Sequence, residues 1–188
     1  RPGFPLYFDS GLGSVTGPVA LGDADADGEV ELVVATNYSV FTLSPGGQLE
    51  SFIWQDNNMQ LTSPVSLADL DLDGDLEIVF TTGAQLNVLN HDGSNFSSAW
   101  PWTEPGGKDL GKVALANNWG TFQPEIFVGT HTQYGEPNTA YLLGYNGTMP
   151  IGWPHDLGNN RMYGTPLVDS FDGGGSSPVI FPTLDRPA

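Results

Sequence analysis

The chain has no cysteine in its 188 residues, so neither a disulfide framework nor a thiolate metal site can hold it together. Cations are almost as scarce. Five Lys and Arg stand against 22 Asp and Glu, for a formal charge of −17 and an isoelectric point near 4.1. No basic stripe exists to displace counterions from phosphate, which argues against nucleic acid and anionic membrane surfaces as partners. No apolar run approaches the roughly 18–20 residues of a membrane span, so no membrane insertion is expected. His91, His131 and His155 fall at turns or in an insertion, without metal-ligand spacing. No Gly-x-Ser-x-Gly elbow occurs, and Gly11-Leu-Gly13-Ser-Val-Thr-Gly17 misses the dinucleotide fingerprint by one residue. No catalytic residue is assigned within the chain. No stretch of ten or more residues has helical periodicity.

What is present is a gapless internal repeat. Pro18-Val-Ala-Leu-Gly-Asp23-Ala-Asp25-Ala-Asp27-Gly28-Glu29-Val-Glu31 returns 46 residues later as Pro64-Val-Ser-Leu-Ala-Asp69-Leu-Asp71-Leu-Asp73-Gly74-Asp75-Leu-Glu77. The register persists through Leu43 and Leu89, Gly47 and Gly93, and Trp54 and Trp100. A period of this length marks units that bury their apolar faces against one another. Each unit reads as short strands separated by Gly, Pro and Asp turns. In the first unit these are Val19–Leu21, Glu31–Thr36, Ser39–Leu43 and Leu49–Trp54; in the second, Val65–Leu67, Glu77–Thr82, Gln85–Leu89 and Asn95–Trp100. Four antiparallel strands per unit is the make-up of a propeller blade. The tryptophans Trp54, Trp100 and Trp153 are placed at the ends of the outer strands, where repetition favours packing between units over sugar stacking.

The expected organisation is a single all-β propeller segment over residues 1–188, with about three and a half blades. Residues 1–17 form the outer strand of a preceding blade and a lead-in loop. Blade 1 covers 18–63, blade 2 covers 64–112, blade 3 covers 113–165 and a partial blade 4 covers 166–188. Blade 3 is degenerate: Val113–Asn117 and Glu125–Thr130 follow the second unit at an offset of 48, and an insertion at 131–139 lengthens its central hairpin. The opening at Arg1-Pro2 and the stop within a repeat read as a mature or excised piece of a longer protein.

The acidic loops carry the chemistry. Asp at positions 1, 3 and 5, Gly at 6 and Glu at 9 describe both loops. Alternating carboxylates on a tight turn converge on one point, and Gly permits the bend. The proposed ligands are Asp23, Asp25, Asp27 and Glu31, then Asp69, Asp71, Asp73 and Glu77, with Glu29 and Asp75 contributing backbone carbonyls. An all-oxygen set of this number suits Ca2+. A solvated acidic turn is the plain alternative. Against it, carboxylates packed together repel unless a cation offsets their charge. Two structural calcium sites are therefore expected. The third loop, Asn117 to Glu125, keeps only the closing Glu and an Asn, and the fourth, from Asp169, lacks the alternation; neither is assigned a metal.

The run Ser63-Pro64-Val65-x-Leu67-Ala68-Asp69-x-Asp71-x-Asp73-Gly74-Asp75-x-Glu77-Ile78-Val79, with Leu89-Asn-x-Asp92-Gly93 and Trp100-Pro101, resembles the FG-GAP/VCBS repeats of integrin-α-like β-propellers. The resemblance covers most of residues 4–181. It implies a calcium-binding, extracellular or cell-surface module that binds a protein or glycan ligand in adhesion. Two alternatives remain open: an accessory propeller of a polysaccharide lyase or hydrolase whose active site lies outside this chain, and a structural part of an extracellular filament or matrix. Such propellers usually close with about seven blades, so either the remaining blades come from further sequence or copies self-associate to close the ring. The insertion at 131–139 is the expected ligand-facing loop.

Overall fold

The computed structural model describes residues 13–117, 122–132, 136–159, 161–162, 164–168 and 179–184. These residues are all β, and three four-stranded antiparallel sheets follow one another along the chain. The first contains β1 (Ala20–Gly22), β2 (Glu31–Ala35), β3 (Ser39–Leu43) and β4 (Leu49–Gln55). The second contains β5 (Ser66–Ala68), β6 (Glu77–Thr82), β7 (Gln85–Leu89) and β8 (Trp102–Thr103). The third contains β9 (Leu110–Ala116), β10 (Glu125–Thr130), β11 (Asn138–Leu143) and β12 (His155–Gly158). In each, spatial order follows chain order. Two short pairs complete the description, β13 (Arg161–Met162) with β16 (Thr183–Leu184) and β14 (Leu167–Val168) with β15 (Val179–Ile180).

Alternation along each central strand decides how the sheets stack. From the first sheet, Val33, Ala35, Val40 and Ile53 pack against Ile78, Phe80 and Leu89 of the second. The intervening residues of the second sheet, Val79, Leu86 and Val88, pack instead with Ile126, Val128, Tyr141 and Leu143 of the third. Because both faces are used, β6 and β10 are buried along their whole length, whereas β4 at an edge is mostly exposed. Each fully buried Val, Leu, Ile or Phe contributes about 1.5–3 kcal/mol. On its other face the first sheet carries Val34, Phe41, Leu43 and Leu32. The first strands lie side by side, β1 against β5, β5 against β9 and β9 against β14.

Strand positions differ from expectation at the outer edge. The expected Asn95–Trp100 strand is a bridge at Asn95 and a turn closed by the Trp100 N–H on the Ser97 carbonyl; β8 follows the Trp-Pro pair. The third sheet behaves alike, with β12 following Trp153-Pro154. Both Trp-Pro peptides are cis. The tryptophans therefore precede these strands and do not end them, because packing claims their side chains. Trp100 is 3% exposed and donates its Nε1–H to the Tyr145 carbonyl at 2.9 Å. Trp54 meets Phe80 edge-on at 5.5 Å, and Trp153 meets Phe181 of the fourth unit at 6.3 Å as well as Phe127 of its own sheet. Packing between units is their observed use.

Candidate metal loops

Each acidic loop joins the first strand of a sheet to the second. In the β1–β2 ladder Gly22 pairs with Glu31, and in β5–β6 Ala68 pairs with Glu77. Loop position 1 thus follows one foot of the hairpin and the position-9 Glu forms the other. Position 2 anchors the loop: Ala24 is 2% exposed and Leu70 is fully buried in the core between the second and third sheets. The closing glutamates reach back to that anchor. Glu31 Oε2 accepts the Ala24 N–H at 2.7 Å, and Glu77 Oε2 accepts the Leu70 N–H at 2.6 Å.

The turn is built the same way twice. The Gly28 N–H donates to Asp23 Oδ2 at 3.0 Å and the Gly74 N–H to Asp69 Oδ2 at 3.2 Å. The Glu29 N–H donates to Asp27 Oδ1 at 2.8 Å and the Asp75 N–H to Asp73 Oδ1 at 3.0 Å. Gly28 and Gly74 have φ of +92° and +107°, so the sixth position needs its glycine. Ala26 and Leu72, at position 4, are also left-handed, with φ of 57° and 68°. An L side chain costs about 1–2 kcal/mol there. Nothing in the composition of position 4 announces this.

These turns bring carboxylates together. Asp23, Asp25 and Asp27 each present an oxygen within 4.8 Å of the others, as do Asp69, Asp71 and Glu77. Of the remaining residues expected to coordinate, Glu31 and Asp73 hold backbone amides as described, and the Asp75 carboxylate meets His91 Nδ1 at 2.9 Å. Glu29 contributes its amide to the turn. Electrostatics in the second loop favour protonation. Burial, followed by repulsion from Asp71, Asp73 and Asp69, pushes Glu77 up to about 7 despite its bond from Leu70. Asp71 is raised too, by desolvation first and then by Asp73.

The donor set fits a hard divalent cation on one specific ground. Asp23 Oδ1 is buried and has no hydrogen-bond partner, an arrangement that costs free energy unless something electropositive meets it. Oxygen-only ligands on a turn of this shape suit Ca2+.

The histidines serve locally: His91 pairs with Asp75, His131 donates its backbone N–H to the Asp109 carbonyl, and the His155 ring lies 4.5 Å from Trp153. The insertion does lengthen the hairpin, with Thr130 and Asn138 bounding β10 and β11. Buried Asn138 ties its base, accepting from Thr130 Oγ1 at 3.1 Å and the Thr132 N–H at 3.2 Å. Residues 133–135, at its tip, lie outside the described residues, as do 118–121 of the third loop and 169–178 of the fourth. One buried acid was not anticipated. Glu104, 4% exposed, accepts the Tyr141 hydroxyl at 2.6 Å and the Lys108 N–H at 2.8 Å. Burial and this carboxylate push the Tyr141 phenol upward.

Among the described residues no helix is long and apolar enough to cross a membrane. No family model matches the chain, and no curated protein does. Among solved structures, the crystal structure of the V. cholerae biofilm matrix protein Bap1 is similar over 82% of this chain, at 17% identity and a TM-score of 0.48. The chain corresponds to 31% of that protein's length.

Proposed function

We propose that this chain is a calcium-stabilised segment of a β-propeller, belonging to a secreted or cell-surface protein and used for adhesion or binding, with no catalytic role of its own. The observation that carries the reading is the pair of matched loops, each converging three carboxylates, with Asp23 Oδ1 buried and unmatched in the first. Calcium in each would fasten the first strand of a sheet to the second and offset the repulsion that adds to burial in raising Glu77 and Asp71. A radial arrangement is supported by the stacking of consecutive sheets face to face and by the contact of their first strands in sequence. Further blades, from additional sequence or from another copy, would complete the ring.

Thermal unfolding with calcium and with chelator tests the metal. At a Kd of about 10⁻⁴ M, calcium at about 10 mM stabilises by roughly 2.7 kcal/mol per site. Calorimetric titration should show two sites. A melting temperature indifferent to calcium and chelator would reduce the loops to acidic turns.

A further inference from the structure

The two acidic loops share a sequence pattern but present their oxygens unequally. In the first, the Gly28 N–H occupies Asp23 Oδ2 at 3.0 Å, while Asp23 Oδ1 is buried without a hydrogen-bond partner. In the second, both oxygens of the equivalent Asp69 are taken. Oδ1 accepts the Asp73 N–H at 3.1 Å, and Oδ2 accepts the Gly74 N–H at 3.2 Å. A cation in the first loop therefore meets a bare, desolvated oxygen. In the second it meets oxygens whose charge the backbone already offsets in part.

The convergence of the acids differs too. Asp23, Asp25 and Asp27, all from the turn itself, come together in the first loop. In the second, Asp69 and Asp71 come together with Glu77 and without Asp73. Completing a shell there requires the turn to rearrange.

Surrounding charge runs the same way. Burial, followed by repulsion from Glu31, Asp25, Asp27 and Glu29, raises the Glu50 carboxyl, which places this β4 side chain beside the first loop. The residue 46 positions further on is Phe96, so the second loop has no such acid. What it has instead is a basic side chain, His91, whose Nδ1 lies 2.9 Å from Asp75 Oδ2.

We infer, on the calcium reading proposed above, that the first loop is the tight site and fills first, and that the second is a weaker site whose filling responds to calcium. Position 2 shows what that response reaches. Leu70 is fully buried in the core shared by the second and third sheets, in the cluster that includes Trp100. Its counterpart Ala24 has only a methyl group to offer. Rearranging the second loop thus acts on the junction of the second and third sheets, whereas the first loop is a standing brace.

The test is a calcium titration of the full 188-residue chain followed by amide NMR, which reads each loop separately through Gly28 and Gly74. The Gly28 cross-peak should move at a calcium concentration about tenfold lower than the Gly74 cross-peak, because ligand charge and rigidity set affinity in such loops. The Trp100 indole N–H should move with Gly74 and not with Gly28. Asp23→Asn should abolish the early step and Asp69→Asn the late one. Glu50→Gln lies outside the loop and should shift only the early step, to about threefold higher calcium. Folding of each variant is checked by its melting temperature. Coincident midpoints for Gly28 and Gly74, or Gly74 moving first, overturn the inference and leave the calcium reading standing. So does an early step that survives in folded Asp23→Asn. If neither glycine moves up to about 10 mM calcium, the calcium reading falls and the inference falls with it.

Discussion

The Leu76 N–H donates to the Ala24 carbonyl at 3.0 Å, so the two acidic loops are joined by a backbone hydrogen bond. The Ala24 amide is at the same time the donor held by Glu31. One peptide segment therefore links the closing acid of the first loop to the residue before the closing acid of the second. Gly22 lies in the same junction, where an added Cβ would come 2.6 Å from Leu76 Cδ1.

This junction predicts coupled calcium sites. Asp71→Asn, which removes a proposed ligand from the second loop, should also weaken binding at the first, by about threefold to tenfold, since local ordering couples neighbouring sites. Titration calorimetry of the single-loop variants reads the effect. Unchanged affinity at the first site would show that the bond transmits nothing.

Without calcium, stability should fall as pH rises. Glu77 is raised from 4.5 to about 7 by burial and by its acidic neighbours, so the folded state holds a proton that the unfolded state releases. The resulting stability is fully present below about pH 4.5 and is lost as pH passes through about 7, on the order of 2 kcal/mol. On the proposed function, saturating calcium should replace the proton and remove or reverse the slope. Melting temperatures from pH 5 to 8, with chelator and with calcium, distinguish the two regimes.

Glu77→Gln separates the two roles of that side chain. The amide oxygen can still accept the Leu70 N–H, and the buried charge is gone. At pH 8 with chelator the variant should be more stable than the parent by about 1–2 kcal/mol. In calcium it should gain less. A loss of stability under both conditions would mean that the carboxylate is needed for the loop itself.

Gly93→Ala should be costly because of the neighbouring sheet. Gly93 has φ +84°, and a Cβ there would lie 2.6 Å from the Ile53 carbonyl oxygen. Gly107 has φ +69° and open space around it. Gly107→Ala should therefore cost only the left-handed penalty of about 1–2 kcal/mol, and Gly93→Ala about 2–4 kcal/mol. Denaturant unfolding of the pair measures the difference.

Tyr141→Phe removes the hydroxyl that donates to buried Glu104 at 2.6 Å. Glu104 keeps the Lys108 N–H but loses half its satisfaction, for an expected cost of about 1–3 kcal/mol. Chemical denaturation reads it directly.

The 46-residue register between Asp23 and Asp69 was enough to locate both acidic loops, their glycines and the paired strands β2–β3 and β6–β7, because these depend on local turn chemistry and alternation. The third hairpin was visible for the same reason, through Glu125–Thr130. The outer strand of the first unit was legible as well, Leu49–Trp54 against β4 (Leu49–Gln55), but that of the second was not. Asn95–Trp100 has a strand's composition, but Trp100 turns into the core and donates to Tyr145 45 residues away, a contact no local pattern encodes. Glu104 escaped notice too, since a lone acid near a Pro-Gly turn looks like solvated surface until Tyr141 arrives from the next sheet.

Sequence by itself determined that the chain repeats, that its strands are short and antiparallel, and that its acids gather in two loops, all consequences of residue spacing within a few turns of backbone. Tertiary structure alone decided which face of each sheet meets which neighbour, that Ala24 and Leu76 bond the loops together, and that Glu77 is buried enough to favour its proton. The physical reason is distance along the chain. Desolvation and contacts between sheets join residues separated by tens of positions, and their free energy exists only once the sheets have stacked.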